Sequence, residues 1–252
     1  MRLLTLARDL RRRRARERQG LFVCEGIRAV EELLRSPLRP RGALVAPALG
    51  DTPRGTALLE ALETAGVELA RITDAELASA ADTESPQGVV AIAPVPERTL
   101  GGVHVGERAR LLVLDALQDP GNVGTILRTA AALGVDATLA LPGTVDLWNA
   151  KVVRSGMGAH FHHPTLSCGW DELDAFRRQH GLALWAADAA GDSVEATPAP
   201  ARLALVVGNE GGGLGAEIRA RADRLVALPI SADVESLNVA VATGILLYVL
   251  RR

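Results

Sequence analysis

A carboxylate, a hydroxyl and an amide crowd together at Glu235-Ser236-Leu237-Asn238, between the apolar run Leu225-Val226-Ala227-Leu228-Pro229-Ile230 and an apolar helical pattern beginning at Val239. A helix start needs one side chain to accept from its first free N–H groups, and Ser236 would serve. One cap leaves the other polar groups unexplained. Two further junctions carry groups of the same kind. Leu114-Asp115 leads into Asp119-Pro120-Gly121-Asn122 and then into a helical pattern containing Arg128, while Val206-Val207-Gly208 leads into Asn209-Glu210-Gly211-Gly212-Gly213. Amides, a hydroxyl, a carboxylate and a guanidinium are groups that orient a polar substrate by hydrogen bonding and charge.

Each junction alone has an ordinary explanation. Pro120-Gly121-Asn122 is a turn and a reasonable helix start. The glycine triple lacks the Lys-Ser/Thr of a P-loop and the spacing of a dinucleotide fingerprint. Arg128 could lay its stem along an apolar surface or pair with a carboxylate. The case for function is their convergence: in parallel α/β sheets the carboxyl ends of the strands share one edge, so three polar loops at three such ends meet in one crevice.

The elements that must position these groups alternate along the chain, β-like apolar runs with helical patterns, which predicts an α/β fold with largely parallel strands. In the first half the expected strands are 21–25, 42–45, 67–72 and 88–93, with helices at 27–35, 56–65 and 74–81, the last capped by Asp74. In the second half strands are expected at 111–115, 137–141, 182–187, 203–208 and from 225, with helices at 122–133, 148–155, 171–180, 216–222 and 239–250. The breaker-rich stretch Pro94-Val95-Pro96-Glu97-Arg98-Thr99-Leu100-Gly101-Gly102 divides them. The domains expected are 1–95, a linker at 96–108, and 109–252.

Composition bounds the partners. The chain has 252 residues, 48% hydrophobic and 23% charged, as an ordinary soluble globular protein does. No run approaches the ~18 apolar residues of a membrane span, and the amino terminus enters charge too soon for a secretory signal, so no membrane and a cytoplasmic location are expected. Cys24 and Cys168 are too few for a disulfide framework and read as buried thiols. With a net charge of -2 there is no global attraction to nucleic acid. A local one is expected at Arg8, Arg11, Arg12, Arg13, Arg14, Arg16 and Arg18, with Arg11 to Arg14 as the RNA contacts. His160-Phe161-His162-His163 with Cys168 matches no standard zinc spacing, and no metal is expected.

Asp119-Pro120-Gly121-Asn122-Val123-Gly124-Thr125-Ile126-Leu127-Arg128-Thr129-Ala130 resembles the first motif of the SpoU (TrmH-like) RNA ribose 2′-O-methyltransferases. Gly208-Asn209-Glu210-Gly211-Gly212-Gly213-Leu214 resembles the second, and Leu228-Pro229-Ile230 with Glu235-Ser236-Leu237-Asn238-Val239-Ala240-Val241-Ala242 the third. Arg154-Ser155-Gly156-Met157-Gly158-Ala159 is similar to a further segment between motifs one and two, and 21–93 more loosely resembles a substrate-binding domain similar to a ribosomal protein.

The resemblance implies a SPOUT fold, a parallel sheet flanked by helices with the carboxyl-terminal segment threaded as a trefoil knot. It also implies S-adenosylmethionine as methyl donor and an active site completed across a homodimer. Carried over, Arg128 would meet the target phosphate and orient the attacking hydroxyl; Asn122 and Asn238 would hold substrate and loop, Ser236 the nucleophile or the loop, and Glu210 would anchor Arg128 or the pocket. The backbone around Gly208, Leu228, Ile230 and Leu237 would hold the cofactor. Structured RNA is the implied substrate, ribosomal favoured over transfer RNA. A catalytically silent RNA-binding member of the fold and a phosphate-binding nucleotide enzyme are the alternatives.

Overall fold

In the computed structural model, which describes residues 2–209, 212–231 and 233–251, the amino-terminal arginines fall on two short helices, α1 (Arg2–Asp9) and α2 (Arg13–Gln19). The chain turns between them because Leu10 is buried and Arg16, itself buried, donates through Nη1 to the carbonyls of Leu10 (2.8 Å) and Arg11 (3.0 Å). There follow β1 (Leu21–Glu25), α3 (Ile27–Arg35), β2 (Gly42–Val45), α4 (Pro53–Thr64), β3 (Leu69–Arg71), α5 (Asp74–Ala80) and β4 (Val89–Pro94). Thr73, and not Asp74, caps α5: Glu76 N–H donates to Thr73 Oγ1 at 3.2 Å and Thr73 N–H returns a bond to the Glu76 carboxylate at 2.9 Å.

These strands form one sheet in the order β1-β4-β2-β3. Only β2 and β3 are parallel; β4 enters the middle antiparallel to both β1 and β2, a departure from the parallel arrangement expected. A fully buried apolar strand reads the same in either direction, so Val89 to Ala93 carried no sign of its polarity. Leu4, Leu10, Val23, Leu44, Val90 and Ile92 make the core of this unit.

The second half opens with β5 (Ala109–Leu114), α6 (Pro120–Ala132) and β6 (Ala137–Ala140). The next helices, α7 (Ala150–Ser155) and α8 (Ala159–His162), belong by their packing to the first unit, which comprises Met1–Glu97 and Trp148–His162. The Trp148 ring lies 4.6 Å from that of Phe22, Phe161 stacks on Phe22 at 5.8 Å, and Arg154 pairs with the buried Glu25 carboxylate.

The other unit, Arg98–Leu147 with His163–Arg252, continues through β7 (Thr165–Ser167), α9 (Trp170–His180), β8 (Ala183–Ser193), β9 (Arg202–Val207), α10 (Ala216–Arg221), β10 (Arg224–Ala227) and α11 (Val239–Leu250). Its sheet runs β10-β8-β9-β5-β6-β7 with every pairing parallel. Leu111, Val113, Leu139, Leu184 and Val206 are buried within it. The strand order reverses between β5 and β9, whose last pair is Leu114 with Val207. Ligands of open parallel sheets bind at such a switch point. β8 departs from a plain ladder: Leu225 pairs with Ala186, yet the next residue, Val226, pairs with Asp192. Residues 187–191 thus leave the ladder.

Candidate active site

Three loops leave the carboxyl ends of β5, β9 and β10, and they meet around one cavity of about 440 Å³. Asn122, Gly208, Leu228, Ile230, Ser236, Leu237 and Asn238, all expected from the sequence, line it. Glu235, for which no role was evident, is there too.

The polar residues are held by the backbone's need for partners. Asp119 ends the first loop by accepting from Asn122 N–H at 2.8 Å, so Asn122 sits in the first turn of α6. Asn238, and not Ser236, caps α11, accepting from Ala240 N–H (2.9 Å) and Val241 N–H (3.3 Å). The cap lies two residues later than expected because the chain stays irregular through 228–231 and 233–238 before helical geometry starts. The Asn238 amide also donates to Asn122 Oδ1 at 3.1 Å, so one residue caps one helix and ties it to the first turn of another. Ser236, freed from capping, stands exposed on the cavity wall.

The second loop is fixed by a residue not singled out from the sequence. Asn209 donates its side-chain amide to the Ala116 carbonyl at 2.8 Å and accepts from Gly212 N–H at 3.0 Å, while its backbone exchanges two bonds with Gly213. An amide opening a glycine-rich turn was the available signal. Ala116 takes a left-handed φ of 53°, which a side-chain amide seated on its carbonyl helps to hold. Gly208 is demanded by close approach: a Cβ there would come within 2.6 Å of the Gly213 carbonyl oxygen. Asp115, at the end of β5, has its carboxyl pushed up, chiefly by burial and further by Glu217, against a bond from the Gly215 backbone.

Not every expected residue joins the cavity. Arg128 is exposed on α6 and is not part of the lining. Glu210 lies outside the described residues. Arg11, Arg12, Arg13 and Arg14 are exposed in the first unit, with Arg13 paired to Glu17 at 2.7 Å and Arg11 donating to the Ser79 carbonyl at 3.3 Å. The seven arginines therefore do not form one free basic helix face, since Arg16 is buried and Arg18 pairs with Asp9 at 3.0 Å. Of the two cysteines, Cys24 has its thiol raised by burial, and Cys168 is pushed up to about 12 by burial and by Glu172.

Among the described residues the cavity carries two carboxylates, Asp188 and Glu235, and no basic side chain. Its remaining walls are apolar, from Val207, Val226, Leu228, Ile230, Leu237 and Leu246. Asp188 is paired with Arg219, so Glu235 is the carboxylate left to favour positive charge; such a chamber suits an organic ligand with a flat apolar portion and offers no cation to a polyphosphate. S-adenosylmethionine, a sulfonium joined to an adenosine, fits that donor set.

Comparison with known proteins gives the chamber its context. Residues 109–248 match the model of the SpoU rRNA Methylase family and residues 5–91 that of the MRM3-like substrate binding domain. The chain is 36% identical over 249 residues to the 23S rRNA (guanosine(2553)-2′-O)-methyltransferase RlmP of Bacillus subtilis, covering 97% of this chain and 94% of that protein. Among solved structures, the SpoU methyltransferase AviRb of Streptomyces viridochromogenes, in complex with AdoMet, superposes with a TM-score of 0.88 at 27% identity, covering 99% of this chain and 96% of that one. An AdoMet-bound rRNA methyltransferase from Sinorhizobium meliloti gives 0.86 at 26% identity over 99% and 94%. The three motifs that resemblance first suggested are the three loops around the cavity, and the matched model spans them all: the chain belongs to the SpoU rRNA methylase family.

Proposed function

We infer that this protein transfers a methyl group from S-adenosylmethionine to a ribose 2′-hydroxyl of structured RNA, with 23S ribosomal RNA as the substrate. The observation that carries this reading is the convergence of Asn122, Gly208, Ile230, Ser236, Leu237 and Asn238 on one chamber whose lining, among the described residues, has no basic side chain. The relation to RlmP supports 23S rRNA over transfer RNA, and a guanosine as the first nucleotide to examine.

When bound, the cofactor supplies an electrophilic methyl group. The apolar walls at Leu228, Ile230 and Leu237 would hold it beside the backbone of Gly208. Asn122 and Asn238, already bonded to one another, form a rigid polar rim on which a ribose can be oriented, so that alignment precedes reaction. Ser236 adds a hydroxyl at the same rim. Arg128 would grip the target phosphate and stabilise charge on the attacking oxygen; a guanidinium holds its proton too tightly to act as the base. Glu210 would anchor that arginine.

Arg128 is not part of its own chain's cavity, which supports a site completed by a second copy. The apolar surface supports the same assembly. Ile230, Val234, Leu237, Val241, Ile245 and Tyr248 are the large apolar side chains exposed among the described residues, and all lie between 230 and 248. A homodimer would cover them. The family's trefoil knot would lie in the segment from β9 to α11, a reading that the shared cavity wall of Gly208, Asn209, Leu228, Ile230, Ser236 and Leu237 supports. The first unit would grip the RNA, with Arg11 to Arg14 on its exposed surface. No helix of the described residues is long and apolar enough to cross a membrane, and the relation to bacterial 23S rRNA methyltransferases supports a cytoplasmic location.

The test is ligand-dependent melting combined with RNA mapping. S-adenosylhomocysteine should raise the melting temperature and dinucleotides should not. Arg128→Ala should cut methyl transfer by a factor on the order of 10² or more while leaving that stabilisation intact. Stabilisation by dinucleotides alone, or full activity in Arg128→Ala, would contradict the reading.

A further inference from the structure

The stretch of β8 that leaves the ladder, residues 187–191, supplies Ala187, Asp188 and Ala189 to the cavity wall. A bulge of this kind re-aims a side chain that a regular strand would have pointed elsewhere. Here it delivers a carboxylate. The Asp188 side chain is only 7% exposed, a depth at which an aspartate has to be paired or hydrogen-bonded. One oxygen meets Arg219 Nη2 at 2.9 Å and the other accepts from Ala190 N–H at 2.9 Å. Gly191 keeps the excursion tight, since a Cβ there would come within 2.6 Å of Val226 N.

These contacts leave acceptor capacity on both oxygens, because an ionised carboxylate offers about four lone-pair sites. They also limit the donor that can fill it. The Arg219 guanidinium has already neutralised the charge and would repel a second cation, so an ammonium is disfavoured. A neutral donor fits, and an adenosyl ligand offers two kinds, the ribose hydroxyls and the adenine amino group, which deoxy analogues tell apart. Within an adenosyl ligand, hydroxyls occur only on the ribose.

We propose that Asp188 is a cofactor-positioning residue whose carboxylate accepts a hydroxyl of the adenosyl ribose, held for that purpose by Arg219 and by the excursion of β8. The proposal rests on reading the cavity as the S-adenosylmethionine site. It adds a residue from outside the three sequence motifs to the walls that fix the cofactor.

The experiment is calorimetric titration of the full-length protein with S-adenosylhomocysteine and with its 2′-deoxy and 3′-deoxy adenosyl analogues. For wild type, deleting the recognised hydroxyl should weaken binding by about tenfold or more, the usual range for a bond to a charged group. Asp188→Ala should bind S-adenosylhomocysteine more weakly by a similar factor and no longer distinguish it from the analogues. Arg219→Gln, which keeps the carboxylate, should still distinguish them. A carboxylate that merely anchors α10 predicts instead that Asp188→Ala and Arg219→Gln weaken all three ligands equally. That outcome overturns the proposal, as does wild-type indifference to both deletions, a result that needs no variant to fold. If wild type binds none of the three, the cavity reading falls and the assignment of Asp188 with it.

Discussion

One side chain at the site serves two structural ends. Asn238 satisfies two N–H groups of α11 and, through its amide nitrogen, meets Asn122 on α6. That economy explains why a sequence reading saw too many polar groups at the junction and assigned the cap to the wrong one. A serine and an asparagine two residues apart are equally good caps, and only the point at which the backbone becomes helical chooses between them. His163 shows a different residue-scale effect. Burial, reinforced by the nearby Arg98, lowers its pKa from 6.5 to about 4, and Thr138 Oγ1 lies 2.8 Å from its Nε2. Because the folded pKa is depressed, the unfolded chain binds a proton that the folded one refuses between pH 6.5 and about 4. Folding stability should therefore decline as pH falls through that window, by up to about 1.4 kcal/mol per pH unit, and this contribution should level off below it. Urea denaturation across the window should show the slope, and His163→Gln should remove it; a slope unchanged in the variant would assign the loss to other groups.

At the scale of elements, the strands that carry the site were legible and the departures from regularity were not. Long apolar runs such as Leu111 to Leu114 and Leu203 to Val207 can hardly be anything but buried strands, and their order with intervening helices implied a parallel sheet. β7 and α8, at three and four residues, are too short for any period to register. The excursion in β8 was hidden for another reason: Ala-Ala-Asp-Ala-Ala-Gly reads as a strand end, and only the register of β10 reveals that pairing resumes at Asp192. The steric need for one glycine was equally hidden. Gly208 was expected for its backbone beside the cofactor, and the fold adds a close approach to the Gly213 carbonyl that no sequence pattern announces. Gly208→Ala should accordingly push the second loop outward, costing about 1–3 kcal/mol in a thermal or chemical melt and weakening S-adenosylhomocysteine binding together with it. An alanine variant with wild-type affinity would mean that the loop yields freely.

Over the whole molecule, the distribution of apolar surface is the feature composition could not reveal. A mean over 252 residues cannot show that the exposed large apolar side chains of the described chain fall within one carboxyl-terminal stretch. Val241, Ile245 and Tyr248 recur at helical spacing on α11, whose Leu246, Leu247 and Leu250 are buried instead. Replacing Ile245 and Tyr248 together by glutamate should give a monomer by light scattering and abolish methyl transfer without lowering the monomer's secondary structure. A dimer that persists would move the interface elsewhere.

The packing of Trp148 and Phe161 on Phe22 bears on how such a protein can be cut and recombined. Residues 5–91 match a family model by themselves, which suggests a module that could be lifted out and fused to other catalytic domains. Yet the ring of Phe22, fully buried, is covered by aromatic partners more than 120 positions downstream, and Glu25, also buried, has its ion-pair partner at Arg154. A fragment ending at residue 97 would open that aromatic pocket and leave a buried carboxylate without its cation. Modularity in sequence is here not autonomy in folding: the first unit draws part of its core from α7 and α8, which lie in sequence between the two stretches of the other unit.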